Sequence, residues 1–352
     1  PPRSSSSAAS DVYKRQIEYC SENMPLYNPV SVSGYHIREA GSTAAQELAF
    51  TLNNGFAYIE ECLERGLKID NFAHRLSFFF NAHMDFFEEI AKYRAARRIW
   101  ANRLKNQYGA KNESSLKLKF HTQTAGCSLT AQQPENNIVR TAFEAMSAVL
   151  GGTNSLHTNS LDETLALPSE KAAKIALRTQ QILAFETGVP NVADPLGGSW
   201  YIEELTDKLE KQAIRYFEEI QEMGGTVQAI EDGYFQKKIA ESASIYQESV
   251  DSKERIIVGV NDFVEEDEEL DIEILKISRD AQDTQEDKIK TLRKSRDEKI
   301  LQEKMKKLSD ACKKDLNLVP FLIEVAEQGG TVGEIVEVMK KVYGEWEESF
   351  GI

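Results

Sequence analysis

Four of the five histidines in this chain stand close behind short apolar runs, at positions where a polar side chain could take part in catalysis. A neutral imidazole can donate or accept a hydrogen bond, so it can polarise a carbonyl group or move a proton. Each run resembles a β-strand and is followed by a helical pattern, which predicts parallel strands. The runs and their histidines are 30–32 before His36, 75–80 before His83, 118–120 before His121, and 155–156 before His157.

Parallel strands bring the residues after their carboxyl ends to one edge of a sheet, and in a closed barrel that edge holds the active site. The four predicted strand ends carry polar, mostly uncharged side chains and no lysine, which argues against a Schiff-base enzyme. Arg75 begins the second run, and Ser77 follows on the same alternating face. Such a set suits a partly apolar ligand with a polarised carbonyl group or phosphates. The alternative is that these groups hydrogen-bond one another in a core, but four histidines at equivalent positions favour the functional interpretation.

Composition and charge exclude several classes of protein. The chain has 352 residues, 41% of them hydrophobic, and a formal net charge of -15, so nucleic acids and anionic membranes are not expected partners. The four cysteines form no Cys-x-x-Cys pair, which indicates reduced thiols in a cytoplasmic protein. No apolar stretch has the length of a membrane span, and none resembles a secretory signal. Nucleotide-binding signatures and metal-ligand spacing are also absent, so no metal bound by this chain is expected.

The elements that must position these residues follow a strand-helix period. Apolar periodicity predicts helices at 43–65, 84–107, 136–150 and 168–186. Four strand-helix units are half of an eight-unit barrel, and four strands cannot close a barrel. We therefore expect the N-terminal half of the barrel to be missing from this sequence. The predicted fold is α/β, the C-terminal half of a (β/α)8 TIM-type barrel followed by a mainly helical C-terminal extension.

The same patterns predict the organisation of the whole chain. The predicted regions are a non-native or disordered lead-in at 1–16, the half-barrel at 17–200, a helical completion of the barrel domain at 201–262, and a charged helical C-terminal region at 263–352. Within the last two regions we expect helices at 203–223 and 227–249, a short strand at 256–261, one exposed charged helix or linker at 281–314, and two amphipathic helices at 318–328 and 331–343.

Seven motifs in this sequence resemble, in the same order, the signature of the adenosylcobalamin-dependent acyl-CoA mutases, the methylmalonyl-CoA mutase family. They are SGYHIREAG at 33–41, RLSFF at 75–79, HTQTAG at 121–126, TAQ and NN within 130–137, NSLHTN at 154–159, DPLGGS at 194–199 and VGVN at 258–261. The resemblance covers roughly Met24 to the C-terminus. It implies an isomerase in which homolysis of a cobalt–carbon bond starts hydrogen abstraction and rearrangement of an acyl-CoA.

The resemblance also implies a role for individual residues. His36 would hydrogen-bond the thioester carbonyl group of the substrate and assist the migration, and Tyr35 would help to drive the adenosyl group and the substrate apart. The implied substrate-binding residues are His36, Arg75, Leu76, Ser77 and Gln123. The implied cofactor-binding residues are Glu39, Gly126, Cys127, Glu163 and Ala166.

A partner is implied as well. Cys127 stands where many single-chain family members have tryptophan, which is similar to the branch whose substrate and cobalamin domains are separate chains. None of the five histidines lies in the DxHxxG motif that supplies the axial histidine of cobalamin in this family. We therefore expect the axial histidine to come from a separate small cobalamin-binding subunit, in a cytoplasmic hetero-oligomer.

The activity that the resemblance implies is interconversion of (R)-methylmalonyl-CoA and succinyl-CoA, the commonest activity of the family. The alternatives are the large subunit of an isobutyryl-CoA or 2-hydroxyisobutyryl-CoA mutase, and a non-catalytic fragment that only binds a partner subunit. Residues that select the acyl group lie mostly in the family's N-terminal half, so the substrate stays open. We expect the chain by itself to be inactive because half of the barrel wall is missing.

Overall fold

The computed structural model describes residues 15–265, 272, 274–276, 278–314 and 316–345. The described residues form two compact units. The sheet unit comprises 30–60 and 68–275, and the helical unit comprises 15–29, 61–67 and 276–345. Most of the predicted lead-in lies outside the described residues, but Arg15 and Gln16 are helical.

Four parallel strands in the order β1-β2-β3-β4 form the only sheet within the described residues. They are β1 (Val30–Ser33), β2 (Leu76–Ala82), β3 (Phe120–Thr124) and β4 (Ser155–His157). Strands adjacent in the chain are also adjacent in the sheet, and at least one helix lies between each pair, as parallel pairing requires. The register aligns Ser33 with Phe79, Phe79 with His121, and His121 with Ser155. The prediction of four parallel strands separated by helices is therefore confirmed.

The predicted strand ends were placed too early. His121 lies inside β3 and His157 inside β4, so only His36 and His83 follow a strand. Arg75 was predicted to start β2, but it belongs to a 3-10 turn, Ala73–Arg75. The error has a physical cause, because polar residues facing one side of a strand interrupt the apolar run without ending the strand.

The helices of the structure are α1, described over 15–23, and fourteen more. In the sheet unit they are α2 (Tyr35–Glu39), α3 (Ala44–Glu64, whose last turn belongs to the helical unit), α4 (Ile69–Phe72), α5 (Phe86–Asn106), α6 (Glu113–Leu116), α7 (Asn136–Leu150), α8 (Glu170–Phe185), α9 (Trp200–Glu222), α10 (Thr226–Glu231) and α11 (Tyr234–Asp251). In the helical unit they are α12 (Arg279–Ser295), α13 (Glu298–Lys313), α14 (Val319–Glu327) and α15 (Val332–Tyr343).

Alternation along the strands gives the sheet two different faces. One face packs against α3, α5 and α7, and carries Val32, Phe78, Phe80 and Phe120, each at most 4% exposed. Trp100 of α5 joins this core, with its ring 5.0 Å from that of Phe78. The opposite face, called the site face here, is mostly polar: it carries Ser31, Ser33, Ser77, Phe79, Asn81, His121, Gln123, Ser155 and His157.

The helical unit has its own core around α13. The sequence analysis predicted one exposed helix or linker at 281–314, which is correct for the exposed α12 but wrong for α13. The segment forms two helices, and α13 buries Leu301, Met305, Leu308 and Cys312 against α14 and α15. These apolar positions recur at the spacing of one helical face, which the high charge of the segment concealed. The last two helices, predicted as amphipathic, both pack against α13.

Two further predictions about the sheet unit were wrong. The helix predicted at 227–249 is two helices, α10 and α11, because Gly233 between them has a positive φ of 70°. The strand predicted at 256–261 is a turn whose only pairing is an isolated bridge between Val258 and Asp262. No helix among the described residues is both long and apolar enough to cross a membrane.

Candidate active site

The first site residues follow β1 directly because Gly34 allows a tight turn into α2. The backbone N–H of Gly34 donates to the carbonyl oxygen of Phe79 on β2, at 2.7 Å. A Cβ atom on Gly34 would lie 1.9 Å from Oγ1 of Thr51 in α3, so any other residue here would force the Thr51 side chain to move. The turn therefore brings Tyr35 and His36 to the carboxyl edge of the sheet.

Tyr35 is held by one ring and one amide. Its ring stacks on Phe79, with ring centroids 5.0 Å apart. Its hydroxyl oxygen accepts a hydrogen bond from Nε2 of Gln123 at 2.9 Å, and the same Nε2 donates to Oδ1 of Asn159 at 2.8 Å. Burial, and then the negative charge of Glu39, raises the pKa of Tyr35, so the side chain is a neutral phenol at physiological pH.

His36 is poised as a neutral imidazole. Its Nδ1 lies 3.3 Å from Oγ of Ser33, and the residue is exposed at the edge of the site face. Partial burial of the ring lowers the pKa of His36 below the ordinary value for histidine. Burial likewise lowers the pKa values of His121, whose Nδ1 lies 2.7 Å from Oγ of Ser155, and of His157. The site face therefore offers neutral hydrogen-bonding groups rather than cations.

A carboxylate joins α2 to the loop after β3. Oε1 of Glu39 accepts from Nδ2 of Asn81 at 2.6 Å and from the backbone N–H of Gly126 at 3.0 Å. Oε2 of Glu39 accepts from the backbone N–H of Cys127 at 2.9 Å. A Cβ atom on Gly126 would approach Oε2 of Glu39 to 3.0 Å, which is tight. We call Glu39, Asn81, Gly126 and Cys127 the carboxylate latch.

Behind the latch lies a buried cluster of charges that the sequence analysis missed. Nζ of Lys92 donates to Oε2 of Glu47 at 2.6 Å, to the carbonyl oxygen of Asn81 at 2.7 Å and to the carboxylate of Glu89. The side chains of all three charged residues are 0% exposed. Nη2 of Arg38 lies 3.4 Å from Oε1 of Glu89. A signal was present, because Glu89 and Lys92 stand three residues apart on the apolar face of α5, where opposite charges can pair.

Comparison with known proteins shows to which family this chain belongs. The family model described as methylmalonyl-CoA mutase matches residues 3–345. The chain belongs to the methylmalonyl-CoA mutase family. The match begins within the segment that the sequence analysis set aside as a lead-in, and well before Met24, where the resemblance was expected to begin.

Three relatives show how much of the family this chain covers. The 2-hydroxyisobutanoyl-CoA mutase large subunit of Aquincola tertiaricarbonis is 46% identical over 95% of this chain and 59% of its own length. The methylmalonyl-CoA mutase of Rhizobium meliloti (strain 1021) is 46% identical over 98% of this chain and 48% of its own length. The mitochondrial methylmalonyl-CoA mutase of Mus musculus is 44% identical over 98% of this chain and 46% of its own length. The chain thus spans about half the length of the curated relatives it matches.

The residues that the family resemblance named fall into three groups. Tyr35, His36 and Gln123 meet at the carboxyl end of the site face, next to the latch residues Glu39, Gly126 and Cys127. Glu163 and Ala166 lie in the loop after β4, and burial, followed by the charge of Glu39, raises the pKa of Glu163. Arg75 and Ser77 lie at the amino end of β2, where Oγ of Ser77 donates to the carbonyl oxygen of Val30 at 3.2 Å. The Leu76 side chain faces the core and is 2% exposed, so it does not line the site face.

A cavity adjoins the latch in this methylmalonyl-CoA mutase family chain. Its volume is about 880 Å³, within the range of sites that hold small molecules. Glu39, His83 and Cys127 line it on one side, and Tyr246 of α11 on the other. Burial, and then the charge of Arg38, lowers the pKa of His83 to about 3, so this histidine is neutral too. Within the described residues, no group of three or more His, Cys, Asp or Glu could hold a metal ion.

Proposed function

We propose that the protein containing this chain catalyses the adenosylcobalamin-dependent isomerisation of (R)-methylmalonyl-CoA to succinyl-CoA. The observation that carries the proposal is the neutral His36 beside the Tyr35–Gln123 hydrogen bond, at the carboxyl edge of a parallel sheet. Family membership supplies the reaction class, carbon-skeleton isomerisation of an acyl-CoA.

The fold that supports this function is half of a (β/α)8 barrel. Within the described residues, β1 and β4 pair on one side only, so each leaves an edge open to a further strand. Four more strands between these edges would close a barrel, and the site face would then line its interior. Residues 201–262, which include most of α9 and all of α10 and α11, would complete the barrel domain, and residues 263–352, with α12 to α15, would be the C-terminal extension.

The chain's own residues would bind and polarise the substrate. The neutral imidazole of His36 would donate a hydrogen bond to the thioester carbonyl oxygen, where partial negative charge develops as the group migrates. Tyr35, fixed by its stack on Phe79 and by Gln123, would present a rigid phenol between substrate and cofactor. Arg75 and Ser77 would hold the phosphates and amides of coenzyme A, because a guanidinium group and a hydroxyl match these oxygens.

Adenosylcobalamin, when bound, supplies the radical that abstracts a substrate hydrogen atom. The residues present fit this cofactor. Gly126 and the exposed Cys127 of the latch, and Ala166 in the loop after β4, have small side chains that leave room for a flat macrocycle. Glu39 and Glu163 would accept hydrogen bonds from hydroxyl groups of the adenosyl moiety. The role of these residues would be to orient the cofactor and exclude water from the site face.

We also propose a small cobalamin-binding subunit that supplies the axial histidine. One relative at 46% identity is named a large subunit, which supports a division into two chains. None of the five histidines of this chain lies in a DxHxxG motif. The complex would be a cytoplasmic hetero-oligomer.

The same large-subunit relative favours a second candidate, a mutase of 2-hydroxyisobutyryl-CoA, with isobutyryl-CoA as a related substrate. The site face described here does not choose between them, because His36, Tyr35 and Gln123 would contact the thioester and adenosyl groups that these substrates share. A non-catalytic fragment that only binds a partner subunit is the third possibility.

The deciding experiment uses the longest polypeptide that the gene encodes around this sequence, combined with its small subunit and adenosylcobalamin. Methylmalonyl-CoA, isobutyryl-CoA and 2-hydroxyisobutyryl-CoA are incubated separately, and the products are separated by chromatography. We expect succinyl-CoA from the first substrate at the highest rate. A higher rate with either other substrate would transfer the assignment to that mutase, and no product from any of the three would contradict an enzymatic role.

A further inference from the structure

Asn81 links the buried charge cluster to the carboxylate latch. The residue ends the polar row of β2 and is 0% exposed. Its backbone is held from behind, because its N–H donates to Oε1 of Glu47 at 2.7 Å and its carbonyl oxygen accepts from Lys92 and from the hydroxyl of Tyr93. Its side chain points the other way, and Nδ2 donates to Glu39. No other residue connects these two groups through both its backbone and its side chain within the described residues.

The charge cluster makes the backbone of Asn81 rigid. Two cations, Lys92 and Arg38, face the carboxylates of Glu47 and Glu89, and three of these four side chains are fully buried. Removing ions from water is unfavourable unless their partners are in place, so displacing any member of this arrangement would cost free energy. The backbone N–H and carbonyl oxygen of Asn81 are part of that arrangement. The hydrogen bonds from the charge cluster to the Asn81 backbone therefore fix the direction of the Asn81 side chain.

Glu39 depends on this direction. Its carboxylate accepts hydrogen bonds from Nδ2 of Asn81 and from the backbone N–H groups of Gly126 and Cys127, and of these only the one from Asn81 comes from outside the loop that the latch holds. Without Nδ2 of Asn81 the carboxylate could rotate and follow the loop when the loop moves. With it, the amides of Gly126 and Cys127 meet acceptors at a fixed position.

We propose that Asn81 is a positioning residue, which orients the Glu39 carboxylate so that Glu39 holds the Gly126–Cys127 loop in the conformation that receives the cofactor. The cofactor part of this inference rests on the proposed function, whereas the holding of the loop does not. Asn81 itself would touch neither substrate nor cofactor.

The test measures backbone hydrogen exchange at Gly126 and Cys127 in the chain as it stands. In Asn81→Ala we expect both amides to exchange about tenfold faster, the scale of one hydrogen bond to a charged group. Tyr93→Phe is the matched control, since it removes a donor to the carbonyl oxygen of Asn81 but keeps the side-chain amide. It should leave the two amides protected. If Asn81→Ala unfolds the chain, Asn81→Ser serves instead, because its shorter side chain does not reach Glu39.

A double-mutant cycle separates positioning from general stability. If Asn81 acts through Glu39, Asn81→Ala has no further effect on the two amides in a Glu39→Ala background, where the acceptor is gone. Independent, additive effects of the two substitutions would overturn the proposal. Equal acceleration by Asn81→Ala and Tyr93→Phe would overturn it as well. Both readouts need no cofactor or turnover, so they stand even if the protein proves to have no mutase activity.

In the complete complex, the same substitution has a kinetic signature. We expect Asn81→Ala to raise the Kd of adenosylcobalamin about tenfold, the same fold-change, while the KM of the acyl-CoA stays unchanged. A rise of the KM with an unchanged Kd would contradict a role at the cofactor loop. Failure of the wild-type complex to turn over any acyl-CoA would instead contradict the proposed function.

Discussion

His36 is exposed at the edge of the site face and has a neutral ring, and both properties come from its position just after β1. Ser33 lies close to Nδ1, and partial burial of the ring disfavours the imidazolium form. A neutral imidazole can give its proton into a hydrogen bond without adding a full charge to the site face. This suits a thioester oxygen that gains only partial negative charge.

Replacing His36 by alanine should therefore impair turnover rather than folding. We expect His36→Ala to slow isomerisation by at least about a hundredfold in the complete complex, the usual scale for losing a positioned acid or oxyanion donor. His74→Gln is the control. His74 lies in the 3-10 turn before β2, at the amino edge of the sheet, whereas His36 lies at the carboxyl edge. Steady-state turnover with saturating acyl-CoA is the measurement. Wild-type turnover in His36→Ala would remove the assigned role.

At the scale of single elements, α15 begins with an unusually complete set of hydrogen bonds. Thr331 and Glu334 form a capping box, in which each side chain binds the backbone N–H of the other. Glu334 also accepts two parallel hydrogen bonds from Arg296, at 2.7 and 2.8 Å. Arg296 lies at the break between α12 and α13, so this one carboxylate joins the start of α15 to that break.

Glu334→Ala should lower the free energy of unfolding of the helical unit by about 1–2 kcal/mol, because it removes the box and the paired bonds together. Glu337→Ala, an exposed glutamate on the same helix, is the control and should change little. Urea unfolding followed by far-ultraviolet circular dichroism measures both. Equal losses in the two variants would show that the arrangement around Glu334 has no special weight.

The same carboxylate predicts a dependence on pH. The hydrogen bonds from Arg296 lower the pKa of Glu334 to about 2, from an ordinary value of 4.5. A lowered acid pKa stabilises the folded state fully above pH 4.5, and the contribution is lost as the pH falls toward 2. The stability difference between wild type and Glu334→Ala should therefore shrink between these pH values. A constant difference would contradict the ion pair.

At the scale of the whole molecule, activity should depend on whether the site is enclosed, and the described residues leave it open. The two outer strands of the sheet each have an unpaired edge within the described residues, and the site face is a wall rather than an enclosed chamber. The radical of the proposed reaction would have to be shielded from water, which a wall on one side does not achieve. The chain by itself should accordingly show no turnover.

The absorption spectrum of bound cobalamin tests whether this chain needs a second subunit to supply the axial histidine. We expect no histidine-ligated cobalamin spectrum when this chain alone is mixed with the cofactor, because its histidines lie outside a DxHxxG motif. Addition of the small subunit should produce that spectrum. Visible absorption of the cobalt corrin distinguishes the two states. A histidine-ligated spectrum with this chain alone would contradict the proposal that a separate small subunit supplies the axial histidine.

The three long helices between the strands, α3, α5 and α7, could be predicted from the sequence to within two residues at each end, whereas the short helices α2, α4 and α6 were not predicted. Asn136–Leu150 was predicted correctly at both ends, since apolar periodicity and the glycines after it are local signals. Strand ends were less accessible, because His121 and Gln123 on β3 look like a loop until the neighbouring strands are known. For α13, the prediction failed because its charge masked an apolar stripe that has meaning only against α14 and α15.

The sequence by itself determined the family and the strand-helix order, and it named Tyr35, His36 and Gln123 as candidate site residues, because motifs and periodicity depend on neighbours in the chain. Only the tertiary structure decided how the site is held. Asn81 reaches Glu39 across 42 positions, Lys92 reaches Glu47 across 45, and Gly126 reaches Glu39 across 87. Hydrogen bonds and ion pairs of this range leave no periodic trace in a sequence, since they depend on how the sheet brings separate elements together.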